Sequence, residues 1–460
     1  MSIIFKTILE TGLVPIDWKT ANVIPVFKSG DKKLVENYRP ISLTSVCSKL
    51  FEHILYSAMF KYLDSFNFFT PSQHGFRSGF SCNTQLAEFQ HYLLKANDKN
   101  TQVDAVFLDF SKAFDTVPHN LLLIKLASIN INSKVLNCIR NYLSDREQCV
   151  VLNGSKSSVV SVTSGVPQGS VLGPLLFLIY VNDIVQNIQS TIKLFADDCV
   201  IYREINSTRD IEILQSDLDK VAYWCNQWNM SLNIGKCNLI NFARNVSKFF
   251  TSYTIKNLTI GNVSECKYLG VYFHQSLKWN KHIDYTINKA SKMLFFIRRN
   301  FKHASRDVKE TLYFLHVRSM LDYACVIWDP YQQYLIDRLE KLQNQAARFV
   351  SNNYDPYASM TEVKTMLGWE PLSIRRQKLR LKFFHRIYYN NTGINKNEYL
   401  LGPTYVSARC DNSRKVFEYS YKTNSFCHSF FVKTIREWNL LPDDVVSTLD
   451  NSVFFSRLYI

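Results

Sequence analysis

The chain has 460 residues, 46% of them apolar, and carries 54 Lys and Arg against 39 Asp and Glu, a formal net charge of +15. That length buries a large core and predicts two or more domains. Its 11 cysteines form no Cys-x-x-Cys pair and no paired Cys/His spacing, which excludes a zinc knuckle and a disulfide framework.

In chain order, residues 48–64 carry Leu50, Phe51, Ile54, Leu55, Met59 and Leu63 at helical spacing and predict a core-facing helix. Lys28, Lys32, Lys33, Arg39 and Arg77 place positive charge around it. Residues 103–110 are apolar, β-branched and aromatic, and read as a buried strand ending at Asp109. A carboxylate there is costly to bury unless paired or metal-bound. Thr116-Val117-Pro118 reads as a helix start. The run Ser164-Gly165-Val166-Pro167-Gln168-Gly169 is a glycine-rich turn, and its glycines permit close approach of a ligand. An apolar helix is predicted after it, from Leu175 to about Ile188. Residues 191–194 and 199–202 are two runs of β-formers around Phe195-Ala196-Asp197-Asp198, which predicts a hairpin with paired acids at its turn. Adjacent carboxylates repel each other unless a cation sits between them, and a hard cation such as Mg²⁺ suits oxygen donors.

Farther on, residues 281–299 and 335–350 are amphipathic helices, the first with basic ends at Lys281, Arg298 and Arg299. Residues 372–389 are strongly basic, with Phe383, Phe384, Tyr388 and Tyr389 interleaved as core rings or as stacking platforms for bases. From Asn280 onward there are 27 Lys and Arg against 17 Asp and Glu, a balance that suits a phosphate backbone as partner. The longest clean apolar run, near 171–181, is too short to span a bilayer, and Met1 to Glu10 lacks the charged start of a signal peptide.

Seven segments occur together in one order. They are Asn37-Tyr38-Arg39-Pro40-Ile41-Ser42-Leu43, Gln73-His74-Gly75-Phe76-Arg77, Phe107 to Asp115, Ser164 to Pro174, Phe195 to Asp198, Ser231 to Cys237, and Lys267 to Val271. In that order the chain resembles the reverse transcriptases of non-LTR, LINE-type retrotransposons of the jockey or CR1 kind. The resemblance implies an α+β, right-hand polymerase fold. Fingers would span 1–99, a palm with an antiparallel sheet 100–266, and primer grip and helical thumb 267–355. A basic region of uncertain role would follow over 356–460.

By the same resemblance, Asp109, Asp197 and Asp198 would be the catalytic acids. With the carbonyl of Phe110 they would ligate two Mg²⁺ ions, Mn²⁺ being a substitute. Lys28, Arg39, Arg77, Phe114, Gln168, Gly169 and Lys236 would meet the incoming nucleotide. Phe114 would lie beneath its sugar, and Lys236 would protonate the leaving pyrophosphate. Tyr268, Leu269 and Gly270 would grip the primer. The substrates would be dNTPs on an RNA template and a DNA primer, inside the cell, in nucleus or cytoplasm as a ribonucleoprotein. Oligomeric state is open.

Elements of this kind carry an endonuclease ahead of the polymerase, and no second acidic/His nuclease site is seen in this sequence. Alternatives are an inactive truncated relic, a host-retained nucleic-acid-binding protein, or another palm polymerase such as a group II intron maturase. The intact acids weigh against decay, and the Pro-Gln-Gly-Ser-Val-Leu-Gly-Pro run favours the LINE-type group.

Overall fold

The structure is a computed structural model and describes residues 1–244, 249–407, 409 and 411–458. A five-stranded sheet lies at its centre. Strand Gln102–Leu108 is in the middle, antiparallel to Asp198–Ile205 on one side and Asn238–Phe242 on the other. Thr191–Phe195 and Gly261–Asn262 are the outer strands.

Alternation along the central strand divides the interior into two layers, because successive side chains point to opposite faces. Val103, Ala105 and Phe107 enter one core with helix Cys82–Asp98, the hairpin Glu265–Tyr268/Val271–His274 and the C-terminal helices. Val106 and Leu108 enter the other, with helices Val46–Ser65, His119–Ser128, Ser133–Leu143, Leu172–Val181 and Thr208–Gln227. Asp104 is the polar exception in this strand. It is wholly buried, and it accepts hydrogen bonds from Gln102, Asn241 and Tyr253, each at 2.8 Å.

A second sheet is built around Thr20–Phe27, which pairs antiparallel with Tyr38–Leu43. It also pairs in parallel with Arg146–Leu152, Thr20 opposite Glu147. A strand from beyond residue 100 therefore completes the sheet of the first hundred residues.

The first predicted helix forms as Val46–Ser65. Phe51, Leu55, Met59 and Leu63 are buried, but Leu50 and Ile54 are 50% and 48% exposed. Only one side of the helix meets the core, so the apolar stripe is wider than the contact. The helix expected over 175–188 runs instead over Leu172–Val181 and passes into a 3₁₀ turn, Asn182–Val185. Its start is set by the buried carboxylate of Glu52, which accepts the N–H groups of Val171 at 2.7 Å and Leu172 at 3.1 Å. Its end coincides with Asn182, whose amide accepts Thr70 N–H at 2.9 Å and donates to the Phe68 carbonyl at 2.7 Å.

The basic run at 372–389 is helix Leu372–Tyr388. Three of its arginines are paired with acids inside the protein. Arg375 pairs with Asp322 at 2.7 Å, Arg376 with Asp329 at 2.6 Å, and Arg380 with Glu437 at 2.6 Å and also with Asp329. Phe383 and Phe384 are core residues.

Candidate active site

Asp109 follows the last residue of the central strand. Leu108 is paired with Cys199, so one step further along the same register Asp109 faces Asp198. The neighbouring hairpin closes on the pair Phe195 and Asp198, leaving Ala196-Asp197 as a two-residue loop. Ala196 takes a left-handed φ of 57°. Behind the acids, Asp109 C=O accepts Asn233 N–H at 2.8 Å, and Phe110 bridges to Leu232. The Phe110 ring is buried, so only its backbone is offered to this site.

Sheet register thus brings Asp109 to the adjacent pair Asp197 and Asp198, which lie far from it in the chain. Surrounding protein removes water from Asp198 and pushes its carboxyl up to about 6, and the charges of Asp197 and Asp109 add to the rise. Asp197 is raised by the same desolvation and by Asp109. Lys28 and Arg39 oppose both shifts. Both acidic residues stay solvent-accessible. An all-oxygen donor set under mutual repulsion fits hard divalent cations. Among the described residues, no group of three or more His, Cys, Asp or Glu side chains is arranged to hold a metal ion.

Lys28 and Arg39 are exposed residues at the loop end of the Thr20–Phe27/Tyr38–Leu43 hairpin, where Lys28 N–H donates to Asn37 C=O at 2.8 Å. Their charge is felt at the acids. Gln168 and Gly169 join this sheet to the glycine-rich turn: Gln168 C=O accepts Ser42 N–H at 2.7 Å. At Gly169, with φ of 111°, a Cβ would lie 2.7 Å from Ser42 O, so only glycine fits. The Gln168 amide donates to Asp115 Oδ1 at 2.9 Å. Burial raises the Asp115 carboxyl, and the Gln168 contact and Lys112 counter it. Phe114 is half-buried. Its ring stacks on Phe177 at 4.2 Å and meets Phe76 edge-on at 6.2 Å. Lys236 is exposed at the end of the turn Ile234–Lys236, which begins just after Asn233.

Two of the expected contact residues also hold the protein together. Arg77 donates to the carbonyls of Thr70 at 2.8 Å and Gln73 at 3.3 Å and lies over the Phe80 ring at 4.4 Å. Its Nη1 is thus held by backbone carbonyls of the same segment. Tyr268 is 4% exposed, and its hydroxyl accepts from Gln85. It anchors the hairpin from within the core. Leu269 and Gly270 form the turn above it, with φ of 44° and 82°, where the Tyr323 hydroxyl donates to Leu269 C=O at 2.8 Å. Lys281, at the basic start of helix Asn280–Asn300, pairs with Glu265 at 2.9 Å.

Sequence reasoning missed Glu52, Gln73, Gly75 and Asp115. Gly75 had one visible signal: a glycine inside a motif, where close backbone approach is the common reason.

A family model described as reverse transcriptase (RNA-dependent DNA polymerase) matches residues 28–273. The RNA-directed DNA polymerase of mobile element jockey from Drosophila funebris is 30% identical over 363 residues, 76% of this chain and 39% of that protein. The probable RNA-directed DNA polymerase of transposon X-element from Drosophila melanogaster is 28% identical over 361 residues, 76% of this chain and 40% of its own length. The chain thus spans about two fifths of the curated relatives it matches. An apo telomerase structure from Candida Tropicalis, truncated from its C-terminal domain, aligns with a TM-score of 0.41 at 13% identity, over 60% of this chain and 59% of that one.

Proposed function

The chain belongs to the reverse transcriptase (RNA-dependent DNA polymerase) family, and on that premise we propose that it extends a DNA primer with dNTPs on an RNA template, as in non-LTR retrotransposition. The observation that carries this reading is the convergence of Asp109, Asp197 and Asp198 opposite the cations Lys28 and Arg39. The three acids, with the Phe110 carbonyl, would hold two Mg²⁺ ions, or Mn²⁺ in their place. Such ions, when bound, acidify a primer 3′-hydroxyl and offset charge on departing pyrophosphate.

The chain's own groups do the rest. The primer oxygen bonds to the α-phosphorus as the bond to pyrophosphate breaks, so positioning supplies much of the rate. Lys28 and Arg39 hold the triphosphate. Phe114 supports the sugar, and Gln168 and Gly169 border the template–nucleotide pair. Lys236 delivers a proton to the pyrophosphate, and Leu269 and Gly270 contact the primer. Fingers (1–99) and palm (100–266) meet at the Ser42–Gln168 contact. The thumb (267–355) and the region 356–460 share one core with helix Cys82–Asp98, which supports their acting as one body. The activity is placed inside the cell, in nucleus or cytoplasm, as a ribonucleoprotein. Among the described residues no helix is long and apolar enough to cross a membrane.

Primer extension on an oligo(dT)-primed RNA with Mg²⁺ and dNTPs tests this. Wild type extends the primer. Asp197→Asn loses extension while retaining template–primer binding, because basic residues elsewhere supply binding. Extension by Asp197→Asn at the wild-type rate refutes the assignment.

A further inference from the structure

The acid turn is an unfavourable conformation for its own sequence. Two-residue hairpin loops favour glycine or asparagine where φ is positive, and this one has Ala196 at 57°. Ala196 is only 8% exposed, so its N–H needs a partner within the protein. That partner is the side chain of Gln73, 123 residues away: Oε1 accepts Ala196 N–H at 3.0 Å. The same oxygen accepts Gly75 N–H at 2.8 Å. This double acceptance fixes which end of the amide faces the turn.

The segment carrying Gln73 is itself held against the hairpin. Gln73 bridges Leu194 in parallel, His74 N–H donates to Leu194 C=O at 2.8 Å, and Leu194 N–H donates to Ser72 C=O at 2.9 Å. The segment acts as one more strand along the edge of Thr191–Phe195. Arg77 ties down the carbonyls of Thr70 and Gln73 from the other side. The approach is so close that a Cβ at Gly75 would stand 2.4 Å from Ala196 N and 3.0 Å from Phe195 C.

We infer that Gln73 is the positioning residue of the acid turn: its amide oxygen, admitted by the missing side chain at Gly75, holds Ala196 left-handed and so aims Asp197 across the sheet at Asp109. It touches no reacting atom. The inference rests on the polymerase reading for its effect on rate, but its structural half stands without it.

Three variants and one exchange measurement test it. Gln73→Met keeps the shape and removes the acceptor, and Gln73→Glu keeps an acceptor at the same place. In the metal-free protein, amide hydrogen exchange at Ala196 and Gly75 should be slow in wild type and at least ~10-fold faster in Gln73→Met, with the Cys199–Tyr202 amides unchanged. In primer extension, Gln73→Met should lower kcat by roughly 10²-fold, the loss expected of a misplacement near 1 Å. It should raise the Mg²⁺ needed for half-maximal rate and leave template–primer affinity unchanged. Gln73→Glu should recover at least ~10-fold of that loss, since it restores the acceptor. Gly75→Ala should reproduce the Gln73→Met pattern.

Fast exchange at Ala196 in wild type overturns the inference whether or not any variant folds. So does a folded Gln73→Met with wild-type kcat and Mg²⁺ dependence, or a Gln73→Glu no better than Gln73→Met. A wild type that fails to extend, or an Asp197→Asn that extends, sinks the polymerase reading instead, and the exchange result then decides the clamp alone.

Discussion

Replacing Phe114 with Val tests whether this ring excludes ribonucleotides or is only packing. The ring is half-buried, stacked at 4.2 Å and 19° on Phe177, which is itself wholly buried. Such a platform cannot move aside for a 2′-hydroxyl, because interiors are close-packed. An apolar ring also offers that hydroxyl no hydrogen bond. An unpaired polar group costs about 1–3 kcal/mol, so the ring should favour dNTPs by about 10- to 100-fold through this term, before any clash is counted. Phe114→Val keeps an apolar, β-branched stub and removes the ring. Loss of the stacked contact at a half-buried position should lower stability by about 1–2 kcal/mol. The assay is single-nucleotide insertion on one primer–template, comparing kcat/KM for a dNTP and its rNTP. The variant should retain dNTP insertion and lose about 10- to 100-fold of its discrimination. A variant that folds but keeps the wild-type rNTP-to-dNTP ratio, or loses both activities in parallel, shows that Phe114 is packing and refutes the reasoning.

Two further outcomes follow from buried groups. Glu52→Ala should cost about 3 kcal/mol or more in urea unfolding, because it orphans the N–H groups of Val171 and Leu172 and the Ser48 hydroxyl. It should also slow extension through the Gln168 turn just before them; unchanged stability would place the helix start under other control. His91 is 6% exposed, ringed by Tyr399, Tyr419, Phe426 and Phe431 at 5.2–5.7 Å, and burial, aided by the charge of Lys95, lowers it from 6.5 to about 3. The folded state thus refuses a proton that the unfolded chain binds below pH 6.5, and stability falls as the pH drops from there toward 3. At pH 5 the loss from this residue should be about 2 kcal/mol. Unfolding of His91→Phe at pH 7.5 and pH 5 should show a slope smaller by that amount. A wild-type-minus-variant difference that does not change with pH contradicts it.

The positions of the acids were legible in the chain because hydrophobic runs and short turns are local. Residues 103–108 and 199–202 read as strands, and strand register alone brings Asp109 opposite Asp198. The same locality shows Phe114 five residues beyond Asp109 and the glycine turn that carries Gln168. Composition gave the excess of positive charge but not its use. Arg375, Arg376 and Arg380 are neutralised by Asp322, Asp329 and Glu437, acids 47 to 57 residues distant. Periodicity marks a helix face as apolar and cannot say whether anything covers it, which is why Leu50 and Ile54 stand in solvent.

What the sequence by itself determined is the identity and order of the chemical groups, since these are set by local pattern and motif spacing. What only the tertiary structure decided is how those groups are held. Gln73 reaches Ala196 across 123 residues, Glu52 caps Val171 across 119, and Thr20 pairs in parallel with Glu147. A hydrogen-bond acceptor in a sequence carries no mark of the distant N–H it will meet. Chain folding brings the two together, and the cost of leaving either one buried and unpaired then keeps them there.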